Sequence, residues 1–529
     1  MNRRTGSSQD AGDRLVAAQS ASPAPSASPA NPHAAPDRLG RCLAWASVVC
    51  ILASILIMLA ASAVRNSWEK PYIPLPPGGP PWGFSPRPSL ALVSGAMWAA
   101  AILGGGGVFA GLVAIARGAR PPARLLLTVG LTAVAAFAVL PPTGSTDALD
   151  DAAYGRIAVL GHNPYVMTPA DLAAAHDPVG RSTPLVWRGQ VTLYGPLATV
   201  QQWAAAELGG TSVARIVLWL KIWNAIAFAA VALALNWMLR SDPVRRARGH
   251  LLWSANPLLM WVLAAEGHVE ALAAAFGFIG LAVARTAHPA GRPAVGRWLA
   301  AGMLAGAAAD VKIPYMLFVL GLAWVARRSL PACVSALAGA AVVLVPGYAW
   351  FGTPAISVLF ARDYLSSVDN FYQLFAGSYG HTIPYQQYLG ALLFAVVALL
   401  MLWRLPGEVP GLPAIRPTLA ISVAWLFFWP YTLPWYDAMV FCLLALYSAS
   451  RLDWLALVQL TIGVFALMPG NAAIPAQHLL ATITNDSLYW VAPAVLLAAA
   501  VALVGLCLTR RWKMTRPFVT LEADLPLPT

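Results

Sequence analysis

Charge is what this sequence has least of. Asp, Glu, Lys and Arg together make up 11% of its 529 residues, against about a quarter in soluble globular proteins. That scarcity, beside a 59% hydrophobic composition, excludes an ordinary soluble domain. Cysteine is also scarce. Cys42, Cys50, Cys333, Cys442 and Cys507 all fall in apolar runs, where a thiol serves as a small packing residue rather than a disulfide or metal ligand. No His/Cys cluster has zinc spacing, no Asp-x-Asp motif is present, and no Gly-rich phosphate loop occurs on the inner side, so the usual signatures of zinc and nucleotide sites are missing. No internal repeat supports the inverted symmetry common in transporters.

What is present is a series of long apolar runs. Cys42–Val64, Val213–Leu239, Tyr385–Trp403 and Ser487–Leu508 are each long enough to cross about 30 Å of hydrocarbon at about 20 residues per helix. The pattern predicts an all-α polytopic membrane protein with 13–14 spans. They lie near 41–64, 89–116, 123–141, 212–239, 249–265, 268–286, 297–310, 313–327, 330–350, 385–404, 417–433, 436–450, 453–469 and 488–509. The pair 297–310 and 313–327 is short enough to be one broken helix. Residues 1–37 are rich in Ala, Ser and Pro and read as a disordered cytoplasmic tail rather than a cleavable signal peptide. The polytopic domain runs over 38–510 and a second cytoplasmic tail over 511–529. Ser67–Ser89 is a proline-rich connection.

The +12 net charge reports orientation. With the N-terminus inside, most Lys and Arg fall in inner segments, among them Arg38, Arg41, Arg117, Arg120, Arg124, Arg240, Arg245, Arg246, Arg248, Arg292, Arg327, Arg328, Arg404, Arg416, Arg451 and Lys513. The acidic residues run the other way. Both biases put the loop 142–190 outside and both termini in the cytoplasm of a multi-pass cell-membrane protein. Basic residues scattered between helices do not make a nucleic-acid face.

That loop carries the polar chemistry. Asp147, Asp150 and Asp151 stand at i, i+3 and i+4, so on a helix they share a face. Crowding raises at least one carboxyl pKa, which suits a proton acceptor. Arg156, Arg181 and Arg188 are cations able to meet an anionic head group. Gly161–Tyr165 reads as a turn, since Asn163 precedes a proline. The three carboxylates with Asn163 nearby are also an oxygen set that a divalent Mg²⁺ or Ca²⁺ would accept. An ordinary solvated loop with an acidic helix start explains the same spacing.

In order along the chain stand Asp147, Gly155-Arg156, Asn163-Pro164-Tyr165 and Tyr194-Gly195-Pro196-Leu197. There follow Asn256-Pro257-Leu258, Glu266-Gly267-His268-Val269-Glu270, Val311-Lys312-Ile313-Pro314 and Leu433-Pro434-Trp435-Tyr436. This set resembles the GT-C class of integral membrane glycosyltransferases, most closely the bacterial polyprenyl-phosphate-mannose-dependent mannosyltransferases. The resemblance spans about residues 145 to 440. Leu149 and Asp151 stand where that family usually has aromatics, and His268-Val269-Glu270 replaces its His-Asn-Asp.

The resemblance implies a GT-C-like fold with a large outer loop. It also implies hexosyl transfer, most simply of mannose, from a lipid-linked donor to a cell-envelope glycan or glycolipid on the outer face. Asp147 takes the base position by family placement, although Asp150 and Asp151 are alternatives. The implied substrate-binding residues are Asp150, Asp151, Arg156, Asn163, Tyr165, Tyr194, His268, Glu270, Lys312, Trp435 and Tyr436. No organic cofactor is implied. Lys312 would meet the donor phosphate, which offsets the cost of a charge at bilayer depth; a plain ion pair with Asp310 or Glu270 is the alternative. Trp435 and Tyr436 would stack on a sugar, unless they only mark the interface. Lys221 is a further intramembrane charge able to snorkel outward. A secondary transporter or lipid-linked-sugar flippase is the rival reading, but it explains less well why the polar groups gather in one loop rather than at the bilayer midplane.

Overall fold

The computed structural model describes residues 37–64, 73–75, 79–285, 295–360, 366–367, 369–376, 384–468 and 478–512. The predicted N-terminal tail (except Asp37), the tail beyond 512, and Arg292 lie outside the described residues, as does part of the proline-rich connection. Among the described residues the chain is helical, without strands, as predicted.

The first helices are the spans α1 (Arg38–Ala63) and α2 (Leu90–Ala116) and the shorter α3 (Ala123–Ala138). At 26 residues and about 1.5 Å per residue, α1 exceeds the hydrocarbon thickness. Asp37 caps it by accepting from the Gly40 N–H, and Ser89 does the same for α2 through Leu92. In α1, Ile51, Ile55 and Met58 are buried while Trp45, Val49 and Leu56 are bare. That division belongs to a helix with one face on its neighbours and the other on lipid.

The loop 142–190 then folds as α4 (Asp147–Val159), α5 (Pro169–Ala174), α6 (Pro178–Ser182) and α7 (Leu185–Arg188). It returns to the bundle through α8 (Pro196–Gly209) and α9 (Val213–Met238). α4 packs on α8 and α9 over a small core of its own that includes Leu149, Ala152, Ile157, Ala205 and Ile216.

The two spans predicted at 249–265 and 268–286 form one feature instead. α10 (Pro243–Gly249), a π-turn, α11 (Pro257–Met260) and a second π-turn reach Ala265, and α12 (Glu270–Val283) leaves at a bend of 118°. Pro257 cannot donate to the helix ladder, so Asn256 caps a new start by accepting from Leu258.

α13 (Val295–Val311) and α14 (Met316–Ala326) are separated at Lys312 by a 3₁₀ turn over Ile313–Tyr315. This break at Pro314 is the short pair that the sequence left ambiguous. After them come α15 (Leu330–Phe351), α16 (Thr353–Phe360), α17 (Gln373–Ala376), α18 (Pro384–Arg404) and α19 (Ile415–Phe428). The span predicted at 436–450 is shorter, a 3₁₀ turn at Pro434–Asp437 running into α20 (Ala438–Leu444). α21 (Leu452–Leu467), α22 (His478–Asp486) and α23 (Ala492–Thr509) complete the bundle. Among the described residues six helices are long and apolar enough to cross a membrane, and the bent pair makes up to seven. Five shorter apolar helices accompany them where the sequence predicted 13–14 full spans, because prolines and turns cut those segments short. At one end of the bundle, Arg248 is paired with Asp453 at 2.6 Å and donates to the Leu444 and Tyr447 carbonyls.

Candidate active site at one end of the bundle

Four chain breaks meet at the opposite end: the start of α4, the bend at 266–269, the Lys312 turn and the Pro434–Asp437 turn. Each brings a polar side chain to one place because the helix ladder is interrupted there. His268 is the hub. Its Nδ1–H donates to the Val262 carbonyl at 2.6 Å, and Nε2 lies 3.3 Å from Asp147 Oδ2. Glu266 Oε2 is 3.2 Å from Nδ1, and the Trp435 ring stacks on the imidazole at 3.8 Å with a 19° tilt. With Nδ1 donating to a carbonyl, a proton on Nε2 makes the ring a cation against the Asp147 carboxylate.

The three loop carboxylates are thereby separated in character. Asp147 keeps 29% of its side chain exposed and shares a bond with Ser145 Oγ at 3.0 Å. Burial alone would push its pKa up, but the contact and charge of His268, with Lys312 further off, hold it below the usual carboxylate value. Asp150 is buried, its Oδ1 has no hydrogen-bond partner, and burial with the charges of Asp147 and Asp151 pushes its pKa up to about 9. Asp151 is buried as well, accepts from Gln202 Nε2 at 2.8 Å, and is likewise pushed well up. The raised pKa expected from crowding therefore falls on the two buried groups. The accessible one, Asp147, stays ionised.

Lys312 stands beside this cluster. Its ammonium is ion-paired with the fully buried Glu270, and lies 4.5 Å from the centre of the Tyr436 ring and 5.1 Å from that of Tyr194. Of the two ion pairs open in the sequence, the Glu270 one forms. Asp310 instead turns to the segment at Gly195–Leu197. That segment packs backbone to backbone: the Gly195 N–H donates to Val311 O at 3.1 Å, and a Cβ at Gly195 would overlap the Asp310 carbonyl. The Gly in Tyr-Gly-Pro-Leu is thus what lets Tyr194 reach Lys312. Gly155 works the same way, letting α4 touch the Gln202 backbone of α8.

Other residues named from the sequence brace the loop. Arg156 pairs with Asp177 at 2.9 Å, Arg181 meets His176, and Arg188 donates to the Thr183 and Arg181 carbonyls. None of the three reaches the cluster by these contacts. Asn163 donates to Phe351 O, and its Oδ1 takes the Tyr165 N–H. The Tyr165 hydroxyl donates to Tyr194 O at 2.8 Å, and its ring packs on Phe351. The oxygen set proposed for a cation, Asp147, Asp150, Asp151 and Asn163, does not converge. Among the described residues no three or more His, Cys, Asp or Glu form a group able to hold a metal.

The sequence undervalued three polar residues inside apolar helices. Lys221 donates to Leu140 O at 2.7 Å and Pro141 O at 3.2 Å, rather than snorkelling to water. Asn224 donates to Gly267 O at 2.7 Å and accepts from Gln201, which fixes the strand of backbone before His268. Gln202 holds Asp151. Lys221 and Asn224 at i, i+3 in an apolar run were the signal.

Fold and site together define a polytopic α-helical membrane protein with an ionised, partly open carboxylate at one end of its bundle and a buried cation beside it. The sequence profile of the alpha-(1->6)-mannopyranosyltransferase N-terminal domain matches residues 47–328, more than half of the chain, and the protein belongs to that family. A probable alpha-(1->6)-mannopyranosyltransferase of Mycolicibacterium smegmatis is 28% identical over 215 residues, 41% of this chain. The match spans only 38% of that relative's length.

Proposed function

We propose that the protein transfers a mannosyl residue from a polyprenyl-phosphate sugar to a hydroxyl of a cell-envelope glycan or glycolipid, on the outer face of the membrane. The observation that carries this reading is the Asp147 carboxylate, ionised and partly exposed against His268 in a member of a mannosyltransferase family. Asp147 accepts the proton of the acceptor hydroxyl as its oxygen attacks the anomeric carbon. The bond from that carbon to the donor phosphate oxygen breaks, and the electron pair leaves with polyprenyl phosphate. Lys312 faces the negative charge that develops there, in a site where its Glu270 partner already holds it in place. His268, clamped by Trp435 and Val262, keeps Asp147 charged and oriented. The polyprenyl tail remains in lipid.

The test is transfer of radiolabelled mannose from polyprenyl-phosphate mannose by purified wild type, Asp147→Asn and Asp147→Ala. Both variants should insert and fold yet form no glycosidic product. Full activity in both would remove Asp147 as the base. Movement of the donor across the bilayer with no new glycosidic bond in wild type would favour a flippase instead.

A further inference from the structure

The Pro434–Asp437 turn has a second polar neighbour, and the transfer reaction makes no use of it. A cavity of about 20 Å³ lies between that turn, the segment at 369–371 and α21, bounded by Asp369, Asp437, Thr432 and Gln459 among others. One water needs about 10–15 Å³ measured this way, so the space takes an ion or one or two waters and not a sugar ring. Asp369 is 4% exposed and Asp437 1%. Asp369 Oδ1 and Asp437 Oδ1 are each buried without a hydrogen-bond partner, and both residues line the cavity.

The surrounding polar groups are already committed to one another. Asn370 Nδ2 donates to the Trp429 and Pro430 carbonyls and its Oδ1 accepts from the Tyr372 N–H. Ser367 Oγ donates to Thr432 O, and the Tyr372 hydroxyl donates to Phe428 O. These bonds sew residues 366–367 and 370–373 to the end of α19 and leave Asp369 Oδ1 and Asp437 Oδ1 over. Among the described residues, no Lys, Arg or His lines the cavity. Two buried carboxyl groups with unpartnered oxygens facing one small cavity, and no basic side chain lining it, form an oxygen set that a small cation would satisfy.

We propose that Asp369 and Asp437 bind a divalent cation, Ca²⁺ or Mg²⁺, with the Gln459 amide as a third oxygen donor and water completing the shell. Hard cations of this kind take carboxylate, amide and water oxygens, and a two-carboxylate set matches their charge. The bound ion clamps the 369–376 segment to the turn that presents Trp435 to His268 and Tyr436 to Lys312. It is a positioning site, and it stands whether or not mannose is the sugar transferred.

The experiment uses the full-length protein in detergent after stripping with EDTA. Saturable Tb³⁺ luminescence displaced by Ca²⁺ or Mg²⁺, with a rise in melting temperature on adding millimolar Ca²⁺ or Mg²⁺, is the expected result. Asp369→Asn and Asp437→Asn should each abolish both responses, and Gln459→Met should weaken the apparent affinity about tenfold or more, the loss of one well-formed contact. Wild type that shows neither saturable Tb³⁺ binding nor a shift in melting temperature overturns the proposal, whatever the variants do. A full response surviving in Asp369→Asn, Asp437→Asn or Gln459→Met also overturns it, because the ion then sits elsewhere.

Discussion

Lys312 is both a structural partner and the nearest cation to the proposed phosphate, and the two roles separate in a double-mutant cycle. Glu270 is fully buried, and its Oε2 has no other partner. Lys312→Met therefore strands a buried carboxylate, at a cost of about 3–5 kcal/mol. Losing the contacts over the Tyr194 and Tyr436 rings adds about 0.5–2 kcal/mol. The double variant Lys312→Met/Glu270→Gln removes the stranded charge, and its stability should return to within about 1–2 kcal/mol of wild type. If Lys312 also meets the donor phosphate, that well-folded double variant still lacks a charge-assisted contact worth about 1.5–3 kcal/mol. Its kcat/KM for the lipid donor then falls about ten- to a hundredfold. The assay is a melting curve and a donor titration on the same sample. A double variant that matches wild type in melting temperature and in kcat/KM for donor would leave Lys312 as a helix-pairing residue only.

Asp150 gives a pH signature. Its folded pKa of about 9 lies above the unfolded value near 3.8, so its contribution to stability is fully present below about pH 4. It is lost as pH rises toward 9. Asp150→Asn should match wild type in melting temperature near pH 4 and exceed it near pH 8; parallel curves would contradict the assignment. Gly195→Ala should disrupt the approach of Tyr194 to the Lys312 turn and cost about 2 kcal/mol or more, seen as a lowered melting temperature together with lost activity. Arg156→Ala should leave donor affinity unchanged while opening 142–190 to proteolysis, since its partner is Asp177 inside the loop.

The helical class and the longest spans were legible because hydropathy is a local, additive property of a chain. The breaks that merge 249–265 with 268–286 and shorten 436–450 were not, because they depend on Pro257 and Pro434 meeting partners from other helices. The Asp147, His268, Lys312 and Trp435 positions were legible as motifs. What was not legible is how three aspartates at helical spacing would divide, because that depends on what faces them. Gln202 reaches Asp151 from α8, His268 reaches Asp147 from 121 positions away in the chain, and nothing reaches Asp150 Oδ1. The loop arginines look, by composition, like ligands for an anion. Only the fold shows that Asp177, His176 and main-chain carbonyls take them first.

The broken helices explain why this site can exist in so apolar a protein. An uninterrupted helix satisfies its own backbone and can offer a ligand only side chains, whereas a break frees N–H and C=O groups that must find partners. Here the freed carbonyls are met by side chains: Lys221 and Asn224 of α9 serve Leu140, Pro141 and Gly267 from a neighbouring helix, and His268 serves Val262 within its own bend. Each of these bonds fixes a side chain as well as a backbone. His268 in particular is held on one edge by a carbonyl and on one face by Trp435, so its remaining nitrogen has only one direction left, toward Asp147. Preorganisation of the carboxylate thus follows from satisfying the backbone at the break. Moving the break by one residue would turn His268 away from Asp147 even with every functional side chain kept.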